Sequence, residues 1–172
     1  MPKNFVVLFI NFIFAKMGTI NYVKGDATSP VGDGKKIIVH VCNDIGAWGA
    51  GFVLALSKKW KQPEAQYRAL KTRRLGDVQI VQVEEDIWVA NMIGQKNTKP
   101  SFITMKNNTV PVPPIRYGAV RAALATVNDA AYKSGATIHM PRIGCGLAGG
   151  KWDEIESIVR DVMSVDVYVY DL

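Results

Sequence analysis

The sequence is poor in the residues that staple or metallate a fold. Two cysteines (Cys42, Cys145) and two histidines occur in 172 residues, too few for a disulfide framework or a zinc cluster. That scarcity points to a reducing, cytoplasmic setting and to thiols that pack as small apolar groups. It calls for no metal and no cofactor. A membrane-spanning run is missing too: the longest apolar stretch, Phe5 to Ala15, covers 11 residues and is interrupted by Asn11, whereas a span needs about 20. This stretch resembles a signal h-region behind Lys3, but no small-x-small cleavage site follows. Residues 1–16 are therefore expected to lie outside the fold, with a strand or an anchor as the alternatives, and Met17 offers a second start. There is no Gly-Lys-Ser/Thr of a Walker loop. The dinucleotide fingerprint is also absent, because Trp48 breaks its spacing and no acidic ribose ligand follows at the right distance. No internal repeat occurs.

What is present describes one α/β domain, expected to be a monomer. Hydrophobic residues make up 48% and charged residues 21%, enough apolar surface for a chain of this length to bury its own core. The net charge of +6 is concentrated. Lys58, Lys59, Lys61, Arg68, Lys71, Arg73 and Arg74 fall within seventeen residues that hold one acid, Glu64, and the rest of the chain balances at 14 basic and 14 acidic. A basic helical face could meet a polyanion such as nucleic acid, but no aromatic residues alternate with these charges as a stacking platform requires. A solvated helix face is the plainer reading.

The local patterns alternate between β and α. Ile20–Lys24 reads as a strand, Lys36–Asn43 as a buried β-branched strand, and Gly49–Trp60 as a helix, with Pro63 opening a second helix. Asp77–Glu84 and Asp86–Met92 form an antiparallel hairpin about an acidic turn. Residues 97–114, with four prolines, read as a loop. Ile115–Lys133 is an amphipathic helix stopped by Ser134-Gly135, followed by a strand at Ile138–Pro141, a helix at Trp152–Met163 and a strand at Val167–Tyr170. Such alternation predicts a mixed sheet with helices on both faces.

Two glycine-rich turns each leave a β-run and enter a helix. The first is HVCNDIGAWGAGF, from His40 to Phe52. The second, MPRIGCGLAGGKW, runs from Met140 to Trp152. Closely spaced backbone N–H groups beside a helix N-terminus suit phosphate, so two such turns suggest a ligand with two phosphates or a sugar phosphate held between them. Within Ile37–Asn43, Ile38, His40 and Cys42 share one face, while Val39, Val41 and Asn43 share the other. Asn43 could hold sugar hydroxyls or cap the loop as an Asx turn. His40 is by default a core histidine and acts as acid or base only if it opens toward the ligand. Trp48 either covers the ligand or plugs the core.

Together with GDAT (Gly25 to Thr28) and the terminal VYVYDL (Val167 to Leu172), these strings resemble a macrodomain, MPRIGCGL being the most specific piece. The likeness runs from Gly18 to Leu172. It is nearest the branch of terminal ADP-ribose glycohydrolases and small ADP-ribose-1″-phosphate phosphatases. The resemblance implies a three-layer α/β/α fold with a central mixed six-stranded sheet, and ADP-ribose or an ADP-ribosylated molecule as partner. It places adenine against Gly25, Asp26 and Ala27, with Tyr170 and Leu172 flanking the base. It wraps the diphosphate and distal ribose with Gly49, Ala50, Gly51 and Phe52 on one side and with Ile143, Gly144, Cys145, Gly146 and Leu147 on the other, Asn43 facing the ribose, and Trp48 and Pro141 are counted among the ligand contacts.

The chain departs from that branch at its reactive groups. The glycohydrolases carry an aspartate directly after GCGL, where this chain has Ala148, and a lysine where it has Gln95, with Lys96 one residue later. The other large macrodomain class carries an aspartate past the first-loop glycines, where Phe52 and Val53 stand. His40, Asn43 and Asp44 remain as catalytic candidates, His40 matching a histidine of the phosphatase branch. The reading therefore favours a phosphatase or related ADP-ribose hydrolase, with a non-catalytic ADP-ribose reader, and then a nucleic-acid binder, as alternatives.

Overall fold

The computed structural model describes residues 18–172, so the expectation for residues 1–16 falls outside the described part. Its main sheet has six strands in the order β1 (Ile20–Lys24), β8 (Val167–Asp171), β7 (Thr137–Met140), β2 (Lys36–Asn43), β4 (Ile87–Gln95), β3 (Val78–Glu84). Neighbours are parallel except β3 with β4. Helices α1 (Phe52–Lys59) and α2 (Gln62–Arg68) cover one face; α3 (Tyr117–Ser134) and α4 (Trp152–Val162) cover the other.

Alternation along β2 builds both cores. Ile38 and Cys42 pack with Leu56, Trp60 and Tyr67 beneath α1 and α2, while Ile37 and Val39 pack with Val120, Leu124, Val127, Ile155 and Val159 beneath α3 and α4. A strand covered on both faces reads as a continuous apolar run, which is why β2 was legible without alternation of polarity. Helix α3 ends where expected, at Gly135 in the left-handed region (φ 72°).

Two expectations need correction. The β4 strand runs past Met92 to Gln95, because Gly94 is a strand residue for a packing reason: a Cβ there would lie 2.9 Å from Val120 Cγ2 and 3.0 Å from Val41 Cγ1. The stretch 97–114 is not a loop. It contains β5 (Ser101–Met105) and β6 (Asn108–Val112), an antiparallel ribbon separate from the main sheet. Lys106 and Asn107, at φ 48° and 66°, make its two-residue turn, the mirror-image geometry that matches strand twist. Proline misled the reading because Pro111 is tolerated where a strand edge has no partner.

Candidate functional site

The two glycine turns follow β2 and β7, parallel neighbours at the centre of the sheet, so both open at the same carboxyl edge. In an open α/β sheet this is where ligands bind. Between them lie two adjoining cavities of about 240 Å³ each. One is lined by residues 50–53 of the first turn and by Pro141–Gly144 and Gly146–Ala148 of the second, with His40 and Gln95 on its floor. The other continues past Asn43, Ala47, Trp48, Gly49 and Thr98, sharing Val41, Ala50, Val53, Gln95 and Leu147 with the first.

Side chains shape the first turn from below. Asn43 Oδ1 accepts the N–H groups of Ile45 (3.1 Å) and Ala47 (2.9 Å), and Asn43 Nδ2 donates to Ala47 O at 2.8 Å. Tyr67 Oη donates to Asn43 O and Oδ1 at 2.5 and 2.9 Å. The register shift between Cys42 and Asn43 takes Asn43 out of strict alternation and lets it reach Tyr67 in the α1–α2 core. The amide thus makes an Asx turn, and its oxygen is fully occupied by the loop. Trp48 is 5% exposed and donates Nε1–H to Ser57 Oγ at 2.8 Å, so it plugs the core. Arg73 lies under the turn, its guanidinium 5.0 Å from the Tyr67 ring and donating to the carbonyls of Tyr67 and Arg68. What the turn offers upward is backbone. Among the described residues, the N–H groups of residues 50–53 have no protein acceptor, and the first turn of α1 holds no acid. This N-terminus keeps its partial positive charge for a ligand.

The second turn is held by its own backbone. Gly150 N–H donates to Gly144 O at 2.7 Å and Gly149 N–H to Gly146 O at 3.0 Å, while Ala148 O accepts from Ile115 N–H at 3.0 Å. Gly144 has φ 70°, and a Cβ on it would sit 2.5 Å from Ile115 Cδ1. Both the conformation and the space require glycine. Arg142 clamps the turn from outside through a two-pronged pair with Asp171 (2.7 and 3.0 Å) and stacking on Tyr22 and Trp152 at 5.4 and 5.3 Å. Among the described residues, Arg142 is the one formally charged residue lining the two cavities. Unlike α1, helix α4 carries Asp153 and Glu154 in its first turn.

His40 is 2% exposed. Asn91 Nδ2 donates to Pro63 O and Gln79 Oε1, both at 3.1 Å, which makes Asn91 Oδ1 the acceptor of its 2.6 Å bond to His40 Nε2. Nε2 therefore carries the proton. Burial pushes the imidazole down to about 4 against the opposing effect of Asn91, so it is neutral at pH 7. Trp48 and Phe52 pack against it at 5.3 and 5.9 Å. Asp44 lines neither cavity: its Oδ1 accepts Asn97 N–H at 2.7 Å, tying the first turn to the base of the β5–β6 ribbon. Gln95 lines both cavities, and exposed Lys96 lines neither.

The adenine-side residues lie around the carboxyl ends of β1 and β8. Asp26 Oδ1 caps Thr28 (2.8 Å to N and Oγ1) and lines a separate cavity of about 810 Å³ with Leu54, Lys58, Lys59 and Lys61. Gly25 donates its N–H to Asp171 O, and Ala27 is buried. Tyr170 is buried, its hydroxyl accepting from Val31 N–H and bonded to His139 Nδ1, both at 2.8 Å. Leu172 is 98% exposed. Cys145 is half buried with its thiol 3.3 Å from Ile143 O, and burial pushes both cysteine thiols up. The basic stretch is not a single free face. Arg73 lies against the first turn, Arg68 pairs with Glu64 at 3.0 Å, and Lys59 reaches Thr28 O and Ser29.

No family model matches the chain. A solved structure of a macrodomain protein from Streptomyces coelicolor is 47% identical, covering 90% of this chain and 99% of that one, with a TM-score of 0.73. This chain belongs to the macrodomain family. Among curated relatives of this macrodomain, the ADP-ribose 1″-phosphate phosphatase of Candida albicans is 26% identical over 88% of this chain and 98% of its own length. The mouse chromodomain-helicase-DNA-binding protein 1-like is 29% identical over 88% of this chain, which spans only 18% of that relative. Sequence reasoning missed Tyr67, Arg73 and Asn91 as supports of the site. Their spacing from His40 and Asn43 carries no local signal, and only α2, the segment that follows it and β4 bring them there.

Proposed function

We propose that this macrodomain binds ADP-ribose or a close derivative in the cleft between its two glycine turns. The observation that carries this is the row of unpartnered N–H groups at residues 50–53, at an α1 N-terminus free of acid, facing the second turn across the cavity. A pyrophosphate spans two such nests, and its charge is stabilised by dipoles that need no rearrangement. Relatives named for ADP-ribose derivatives support the identity of the ligand. Titration calorimetry with ADP-ribose is the test: heat saturating at micromolar to low-millimolar ligand is expected, and no heat at millimolar ligand overturns the reading.

Hydrolysis of an ADP-ribose-1″-phosphate monoester is the second reading, favoured by the phosphatase relative that this chain matches almost end to end. Among the described residues no carboxylate lines the cleft, so the burden falls on loop N–H groups stabilising phosphoryl charge and positioning water. His40 Nδ1 is the unprotonated nitrogen, and Cys42 Sγ lies 3.9 Å from it and 3.7 Å from Nε2. Release of inorganic phosphate from ADP-ribose-1″-phosphate decides between enzyme and reader. Full activity in His40→Ala would remove His40 from the mechanism.

A further inference from the structure

The β5–β6 ribbon is not used by the cleft chemistry. Among the described residues it forms a sheet of two strands, and each strand has an outer edge with no described strand beside it. Pro111 removes a donor from β6, whereas β5 contains no proline. Pairing of Ile103 with Val110 and of Met105 with Asn108 puts Ile103, Met105 and Val110 on one face, and they are 46%, 56% and 38% exposed. Residues 96–112 contain Lys96, Lys99 and Lys106 and no acid. The ribbon is anchored at the cleft mouth: Asn97 is held by Asp44, Thr98 lines the second cavity, and Gln95 bridges Ile115 at the base. A lone two-stranded ribbon is marginally stable in water, and a third strand is what stabilises it.

We propose that this arm docks an extended, acidic and aliphatic protein segment as a third strand on the β5 edge, the segment that carries the ADP-ribosyl group held in the cleft. The last clause rests on the ADP-ribose reading above. Strand addition supplies main-chain hydrogen bonds, and alternate aliphatic side chains of the segment lie beside Ile103 and Met105, extending the apolar face that Val110 continues on β6. The lysines select carboxylates on the segment and steer its approach. A second copy of the chain does not fit, because two arms with three lysines and no acid repel each other. Single-stranded nucleic acid needs aromatic platforms. The one aromatic here, Phe102, pairs with Pro111 and points to the face opposite Ile103.

The test uses the full chain and a fluorescent peptide of about ten alternating glutamates and valines, with and without one ADP-ribosylated glutamate. The modified peptide should bind at least about tenfold more tightly than free ADP-ribose, since two linked contacts act together. Lys99→Glu/Lys106→Glu should erase that advantage and leave free ADP-ribose binding unchanged. Ile103→Thr/Val110→Thr, which keeps β-branched residues, should do the same, with unchanged ADP-ribose affinity reporting an intact fold. Equal affinities for modified peptide and free ADP-ribose, or an advantage that survives both double variants, overturns the docking proposal and leaves the cleft reading standing. If free ADP-ribose does not bind while the unmodified peptide binds and is lost in Lys99→Glu/Lys106→Glu, the cleft reading fails and the arm stands. An oligo-dT strand that displaces the peptide and binds the arm more tightly overturns the protein segment in favour of nucleic acid.

Discussion

The two glycine turns occupy equivalent places, each at the carboxyl end of a central parallel strand, yet they are built differently. Side chains hold the first: Asn43 folds it, Tyr67 and Arg73 support it, and its upper N–H groups stay unpartnered. The second is held by its own backbone, through Gly150 to Gly144 and Gly149 to Gly146, with Arg142 as an outer clamp. The helix behind the first turn offers an unscreened N-terminus, whereas Asp153 and Glu154 already answer the dipole of the helix behind the second. Among the described residues both turns leave N–H groups without a protein acceptor, residues 50–53 in the first and Gly144, Gly146, Leu147 and Ala148 in the second. The turns differ in what holds them and in the charge of the helix behind them.

The strands leading to the turns each bury a histidine, and acid tests them together. Burial pushes both His40 on β2 and His139 on β7 down to about 4. A histidine depressed in the folded state contributes stability that is complete above its unfolded value near 6.5 and is lost as pH falls toward 4. Between those limits each costs about 1.4 kcal/mol per pH unit. The melting temperature should fall steeply from pH 6.5 to pH 4. His40→Asn should flatten only part of the slope, and an unchanged slope would show that His139 alone carries it.

The next contrast is between backbone and side-chain support. Gly144→Ala meets both a left-handed backbone and Ile115, and should cost about 2–4 kcal/mol in denaturant unfolding. It should also displace the second turn enough to abolish ADP-ribose heat. Tyr67→Phe removes one hydroxyl that satisfies two atoms of Asn43 and should cost about 1–3 kcal/mol. Its effect on ligand affinity should exceed that of any change confined to α4, because the first turn's open donors sit at a helix N-terminus free of acid. Comparable loss of affinity from Asp153→Asn would contradict the asymmetry.

Smallest is the outer clamp. Arg142 and Asp171 are each about 43–44% exposed, so Arg142→Lys should change stability by less than about 1 kcal/mol. Loss of the planar fork should weaken ligand binding more than stability, and the difference should shrink at high salt, which screens the exposed pair. A stability loss as large as that of Gly144→Ala would mean that the clamp, and not the backbone, holds the second turn.

Much of the fold was legible because its signals are local. The apolar run of β2, the cap at Gly135, the acidic turn between β3 and β4 and Pro63 at the start of α2 each act within a few residues. The ribbon at 101–112 was not legible. Its turn is Lys106-Asn107 rather than Asn-Gly, and its one proline, Pro111, is harmless because no described strand lies on that edge. For the site, the two turns could be located but the roles of their residues could not. Asn43 serves either a loop or a sugar by spacing alone, and the hydroxyl of Tyr67, 24 residues away, decides how its oxygen is used.

The sequence by itself determined the layer architecture, the two glycine turns and the family likeness, since periodicity and short motifs depend on neighbours along the chain. Only the tertiary structure decided which groups face the cleft. It set His40 against Asn91, Asp44 against Asn97 and Tyr170 against His139, and left the α1 N-terminus open. Burial and hydrogen-bond partnership are properties of distant segments meeting, and no local pattern encodes them.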